Sequence, residues 1–386
     1  MKNRLIHLFS IIFALLLTTC CSVIQNDSVL LAEQQFDLTA KSAIILDYDS
    51  GTIIFEKDKD KKLPIASMVK LMTIYITLDN LTSGNLTLEQ KITTTENASS
   101  MGGSQVFIDP YVQYSVEDLL KSVIMASAND ASVALAEAIS GSEDVFVNLM
   151  NSTAKQLGMN NTLYCNATGL PSPEQYSTAE DCAIILKELV KSDIYHKYSN
   201  VWMDKLIHPS GRTTELVNTN KLVRYYDGCD SGKTGSTNEA GYCLSASANK
   251  NNMRLISVVI GAKTGNDRFK ETTALFNYGF ANYQNKQLVC KDVVLKEIET
   301  KRAKEKFAEI VAVEDYFAFD KKGKNSNYNV DYELPESISK AKVGEIVGKV
   351  IISKDGNVIK TIDLTVKQDI IPLSFVDNFK NIIAQW

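Results

Sequence analysis

Two short apolar runs, Ala43 to Asp47 and Thr52 to Glu56, flank Ser50-Gly51. This is the pattern of a β-hairpin. The period then changes. Apolar positions recur at helical spacing from about Ala66 to Leu78, over residues 116–140 and 143–157, and over 178–190, where Thr178 ahead of Glu180-Asp181 marks a helix start. The period then shifts again: Gly241 to Ser247 and Arg254 to Gly261 read as adjacent strands joined by the polar stretch Asn249-Lys250-Asn251-Asn252, and residues 268–280 read as helix. The order of strand pair, helices, strand group and helix predicts an α/β domain with a mainly antiparallel sheet, because such short links leave no room for parallel crossovers.

Beyond about residue 285 the runs shorten to Leu288–Leu295, Ile310–Phe319, Tyr328–Leu334, Val343–Ile352 and Val358–Val366, separated by polar, Gly-containing turns. They predict a small β-rich domain over 286–370 with no reactive cluster, a spacer or binding module. In the last segment, 371–386, Phe375, Phe379, Ile382, Ile383 and Trp386 share one helical face. Such a helix suits a membrane interface, or docks back on the protein.

The chain begins differently. Lys2 and Arg4 precede an apolar run from Leu5 to Leu17, too short to span a bilayer and typical of an export signal, here residues 1–31. Two processing routes stay open: cleavage near Ala32, or lipidation at Cys20, since Leu17-Thr18-Thr19-Cys20 resembles a bacterial lipobox. Without this segment the formal charge moves from -5 to -6 through loss of Lys2, Arg4 and Asp27. With a pI near 5.5, a nucleic-acid partner is not expected. Five cysteines then remain, an odd number in no CxxC pair, which is no disulfide framework. Only His196 and His208 survive, without ligand spacing, so no metal and no cofactor are expected.

The candidate chemistry lies in three short motifs. Ser67-Met68-Val69-Lys70 places a hydroxyl and an amine three residues apart, hence on one helical face. A lysine with a lowered pKa can take the serine proton. Ser127-Ala128-Asn129 follows between two helical patterns. Lys233-Thr234-Gly235 then opens the later strand group, where Lys and Thr can hold a carboxylate and Gly235 admits a close backbone.

Together they match the SxxK, SxN and KTG signature of serine penicillin-recognising proteins. The chain resembles the serine D-alanyl-D-alanine carboxypeptidases, the low-molecular-mass penicillin-binding proteins. The likeness includes Pro64 to Thr73, with Val69 in place of the usual Thr, Asn166-Ala167-Thr168-Gly169-Leu170-Pro171, Ser177-Thr178-Ala179, and Lys233 to Cys243. Gln175 stands where many relatives have His and is assigned no role. The resemblance implies a penicillin-binding transpeptidase-like domain over 36–285, an antiparallel sheet with helices on both faces, followed by the β-rich domain. It implies Ser67 as nucleophile, Lys70 as base and Ser127 as proton relay. Asn129 would bind the substrate amide and Lys70. Lys233 would supply charge, Thr234 would bind the terminal carboxylate, and Gly235 would allow close approach. Ser236 and Ser67 would lend backbone N–H groups to an oxyanion hole. The implied partners are the peptidoglycan stem peptide, β-lactam antibiotics and the outer face of the cytoplasmic membrane.

Lys263-Thr264-Gly265 repeats one motif but lacks its flanks, and is expected to form a turn. Gly228 to Thr234 has only three residues before its Gly-Lys pair, one short of a phosphate loop. A class A β-lactamase would carry a glutamate in 160–170, where none occurs. An endopeptidase acting on peptidoglycan cross-links, and a non-enzymatic cell-wall binding protein, are the alternatives.

Overall fold

The computed structural model describes residues 36–324 and 326–374. The expected export segment, Cys20 and the positions of the expected terminal helix from Phe375 onward lie outside the described residues. From Thr39 the chain packs as one unit, distinct from the residues up to Leu38.

In chain order, β1 (Ser42–Asp47) and β2 (Ile53–Lys57) form the hairpin, closed by Asp47 accepting from the Ser50 backbone at 2.8 Å. A 3-10 turn (Ala66–Val69) leads into α1 (Lys70–Thr82). Next come β3 (Lys91–Thr93), the short α2 (Glu96–Ser99), β4 (Gln113–Ser115), α3 (Val116–Ala126), α4 (Asn129–Ser140) and α5 (Glu143–Gln156). Then α6 (Ala179–Leu189), α7 (Asp193–Ser199), the β5 (Met203–Ile207) and β6 (Thr213–Val217) hairpin and the short α8 (Leu222–Tyr225) precede β7 (Cys229–Thr237), β8 (Gly241–Lys250), β9 (Met253–Ala262) and α9 (Gly265–Asn282).

The main sheet runs β2-β1-β9-β8-β7, antiparallel throughout. Its central strands alternate between two cores. Ile44, Ile256, Val258 and Ile260 join the large core with α1 and α3 to α6. Ile45 and Leu255 face α9, which approaches so closely that a Cβ on Gly279 would sit 2.5 Å from Leu255 Cδ1. Helices therefore cover both faces, and the sheet is buried as a middle layer.

The C-terminal part adds β10 (Tyr283–Val289), β11 (Val294–Glu299), β12 (Phe307–Ala312), β13 (Tyr316–Lys321), β14 (Tyr328–Glu333), β15 (Gly348–Lys354) and β16 (Asn357–Val366). Five of them form the sheet β11-β12-β16-β15-β14, over a separate core that includes Ile310, Val350, Ile352 and Leu364.

Several boundaries differ from the periodicity. The run from Ala66 begins as a 3-10 turn. Residues 116–140 are two helices, because Ser127 takes a left-handed conformation (φ 62°). The expected single strands at 288–295 and 310–319 are each broken by a turn. The strands flanking Asn249 to Asn252 run longer than expected. Lys250 pairs with Met253, and the turn is Asn251-Asn252 alone, both at positive φ, the geometry of a tight hairpin. Among the described residues no helix is long and apolar enough to cross a membrane.

Candidate active site

Ser67 sits in the 3-10 turn, where residues three apart eclipse one another, so Lys70 lies directly beneath it. The turn is entered through Ala66 at φ 49°, a conformation that costs an ordinary residue roughly 1–3 kcal/mol. Two glycines frame it. A Cβ on Gly169 would lie 2.1 Å from the Ala66 carbonyl oxygen, and one on Gly235 would lie 2.5 Å from that of Ile65 and 3.1 Å from Ser67 N. Only bare backbone fits on either side of the serine.

Lys70 is fully buried at the start of α1. Its Nζ lies 3.2 Å from Ser67 Oγ and donates to the Thr168 carbonyl at 2.5 Å. Burial holds its pKa well below the ordinary lysine value. The Lys233 charge lowers it further, and Asp130 opposes. A neutral amine in this position can take the serine proton.

Ser127 caps α3 and turns its hydroxyl to Lys233, whose Nζ donates to Ser127 Oγ at 2.7 Å and to the Thr234 carbonyl at 3.0 Å. Asn129 opens α4. The resemblance implied a bond from Asn129 to Lys70, but Asn129 Nδ2 instead donates to the Gly102 carbonyl at 2.6 Å, and its backbone N–H donates to that of Ser104. The loop before Val106 comes close enough to take both donors. Asn129 Oδ1 is buried without a partner.

Lys233, Thr234, Gly235 and Ser236 lie on β7, whose outer side is a sheet edge facing the Ser67 turn. Lys233 is buried, and burial first, then the Arg268 charge, bring its pKa down to about 7. Lys233 and Thr234 are buried, whereas Ser236 is exposed. The structure thus brings Ser67, Lys70, Ser127, Lys233 and the glycine pair together, with Asn129 alongside.

Four further residues shape the site, none of which was assigned a role from the sequence. Thr168 contributes only its carbonyl, which no side-chain pattern reveals. Gln175 fixes the loop that carries it: Oε1 accepts from Cys165 N at 2.9 Å and Asn166 N at 3.2 Å, while Nε2 donates to the Leu170 carbonyl. Asp130 is buried and accepts from the backbones of Val106, Ile108 and Ala131. Arg268, on α9, donates to the Gly235 and Cys243 carbonyls beneath β7. Adjacency to Asn129 is the one sequence signal that could have found Asp130; no comparable signal exists for Arg268. The second KTG string lies elsewhere, with Thr264 capping α9 by accepting from Asp267 N.

A family model described as D-alanyl-D-alanine carboxypeptidase matches residues 29–264, and one described as penicillin-binding protein 5, C-terminal domain, matches 283–371. The chain is 38% identical over 349 residues to the D-alanyl-D-alanine carboxypeptidase DacF of Bacillus subtilis (strain 168), covering 90% of each. It is 32% identical over 279 residues to a D-alanyl-D-alanine endopeptidase of Pseudomonas aeruginosa, covering 71% of this chain and 88% of that one. Among solved structures, penicillin binding protein 5 from Haemophilus influenzae matches with a TM-score of 0.68 and 33% identity, over 87% of this chain and 99% of that one. With a buried lysine under a serine, a second lysine on a second serine, and likeness running through both parts of the chain, the protein belongs to the serine D-alanyl-D-alanine carboxypeptidase family of penicillin-binding proteins.

Proposed function

We propose that the chain removes the terminal D-alanine from peptidoglycan pentapeptide stems with Ser67 as nucleophile. The observation that carries this reading is Lys70, fully buried, its amine 3.2 Å from Ser67 Oγ and its pKa pushed down by burial.

In the first half-reaction Ser67 Oγ attacks the carbonyl carbon between the two D-alanines and its proton passes to Lys70 Nζ. The backbone N–H groups of Ser67 and Ser236 receive the developing oxyanion. The carbon–nitrogen bond breaks as a proton passes through Ser127 to the leaving amine, which departs as D-alanine. Lys233 and Thr234 hold the terminal carboxylate, and the open edge of β7 pairs with the peptide backbone. Asn129, beside the serine pair, hydrogen-bonds the substrate amide. In the second half-reaction water attacks the ester carbon, Lys70 takes a proton from it, and Ser67 regains its own. β-Lactams enter the same way and stop at the ester.

The test is D-alanine release from a soluble pentapeptide. Ser67→Ala is expected to abolish it; retained turnover would refute the assignment. The endopeptidase relative motivates a second reading, cleavage of cross-links, in which the leaving amine is a stem side chain. Faster cleavage of cross-linked dimers than of pentapeptide would favour that reading. A non-enzymatic cell-wall protein would release no D-alanine from either substrate.

The enzyme works outside the cytoplasm, where its substrate lies. Segment 371–386 attaches it to the membrane, and deletion of that segment is expected to release it. Intact mass separates cleavage near Ala32 from lipidation at Cys20. The β-rich part serves as a spacer.

A further inference from the structure

A groove of about 490 Å³ leads away from the catalytic serine. It starts at Ala66 and Thr237, the neighbours of Ser67 and Ser236, and runs along a wall made by Leu170, Pro171 and Pro173. The wall is preformed. Two prolines stiffen it, and Gln175 holds the Leu170 carbonyl. At its rim stand two exposed charges of opposite sign, Lys62 and Glu239. Among the described residues neither forms an ion pair within 4.0 Å, with the other or with any third group. Lys62 Nζ rests 4.8 Å from the centroid of the Tyr176 ring.

The carboxypeptidase reading, on which this inference rests, sets the direction of the substrate. With its terminal carboxylate at Lys233 and Thr234, a peptide pairing antiparallel to β7 passes Ser236 and Thr237 toward Glu239. The acyl part of the stem, upstream of the cleaved bond, therefore enters this groove. We propose that the groove takes the side chain of the third stem residue. Lys62 and Glu239 then select a diaminopimelate-type side chain, which ends in both an ammonium and a carboxylate, over a lysine-type one that ends in an ammonium alone. Glu239 pairs with the ammonium that both types carry. Lys62 pairs with the carboxylate that only one of them carries, and faces bare positive charge when the other binds.

The test compares kcat/KM for D-alanine release from two soluble pentapeptides that differ only at the third residue, meso-diaminopimelate or L-lysine. An exposed ion pair supports a preference of about threefold to fivefold for the diaminopimelate peptide. Lys62→Glu is expected to invert the preference, whereas Glu239→Gln lowers both rates and keeps their ratio. Penicillin labelling of Ser67, which does not depend on the third residue, monitors the integrity of each variant. Equal rates on the two peptides with labelling intact would overturn the groove assignment alone, as would a ratio unmoved by Lys62→Glu. Loss of cleavage of both peptides together with loss of labelling in the unaltered protein would overturn the carboxypeptidase reading and this inference together.

Discussion

Lys233 Nζ meets Ser127 Oγ at 2.7 Å, joining residues 106 positions apart in the chain. The contact links the sheet edge to the break between α3 and α4. It buries a lysine whose pKa falls to about 7. The account needs this lysine charged, to hold a carboxylate and donate to Ser127. Since the charged form is lost as pH rises, kcat/KM is expected to fall through about pH 7, in the free enzyme whose titration that parameter reports. In Lys233→Arg the guanidinium keeps its proton, so the falling limb disappears. A pH profile with the same falling limb in the variant would place that titration elsewhere.

With Lys70 as the proposed base, the rising limb is expected to follow Lys70. Its pKa is lowered by burial and by Lys233 and raised by Asp130. Removing the carboxylate charge in Asp130→Asn lowers the Lys70 pKa further, and the rising limb of acylation moves to lower pH. The same change disturbs a carboxylate that receives three backbone N–H groups, costing about 1–3 kcal/mol of stability. Stopped-flow acylation across pH, with denaturant melts, separates the two effects. An unmoved limb would mean that Asp130 acts through structure alone.

Gly235 lies in ordinary strand conformation, so its requirement is one of space. In Gly235→Ala the new methyl group meets the Ile65 carbonyl at 2.5 Å and pushes the Ser67 turn away from β7. A displacement near 1 Å costs on the order of 10²-fold in rate. Acylation by penicillin is expected to drop by about that factor, with the melting transition retained. Normal acylation would show that the turn and the strand yield without cost.

Gln175→Leu leaves the N–H groups of Cys165 and Asn166 without their acceptor. Each unsatisfied group costs about 1–3 kcal/mol, so urea denaturation is expected to register a loss of at least that size. The Thr168 carbonyl is then less firmly held against Lys70, and acylation slows as well. Gln175→Glu keeps the acceptor and is expected to recover most of the stability.

The candidate side chains were legible because the proposed chemistry demands residue types at tight spacing. Ser67 with Lys70, Ser127 with Asn129, and Lys233 with Thr234 are each local in sequence. What brings them together is not local. Thr168 acts through its backbone, Gln175 through two N–H groups ten and nine residues away, and Arg268 from a helix beyond two strands. None of these leaves a periodic trace. The interruption at Ser127 was legible as a gap between two helical patterns, but the left-handed residue that turns the chain there was not. Asn129 was assigned a partner by resemblance, and the approach of the Gly102 loop gave it another. In the β-rich part the alternation was visible, but turns at 290–293 and 313–315 carry enough apolar residues to look like strand.

The central claim is that Ser67 forms the covalent intermediate. Trapping the full chain with penicillin and mapping the acylated peptide by mass spectrometry tests it most directly. The account predicts one adduct, on Ser67, absent in Ser67→Ala and greatly slowed in Lys70→Ala. An adduct on any other residue, or one that persists in Ser67→Ala, would contradict it.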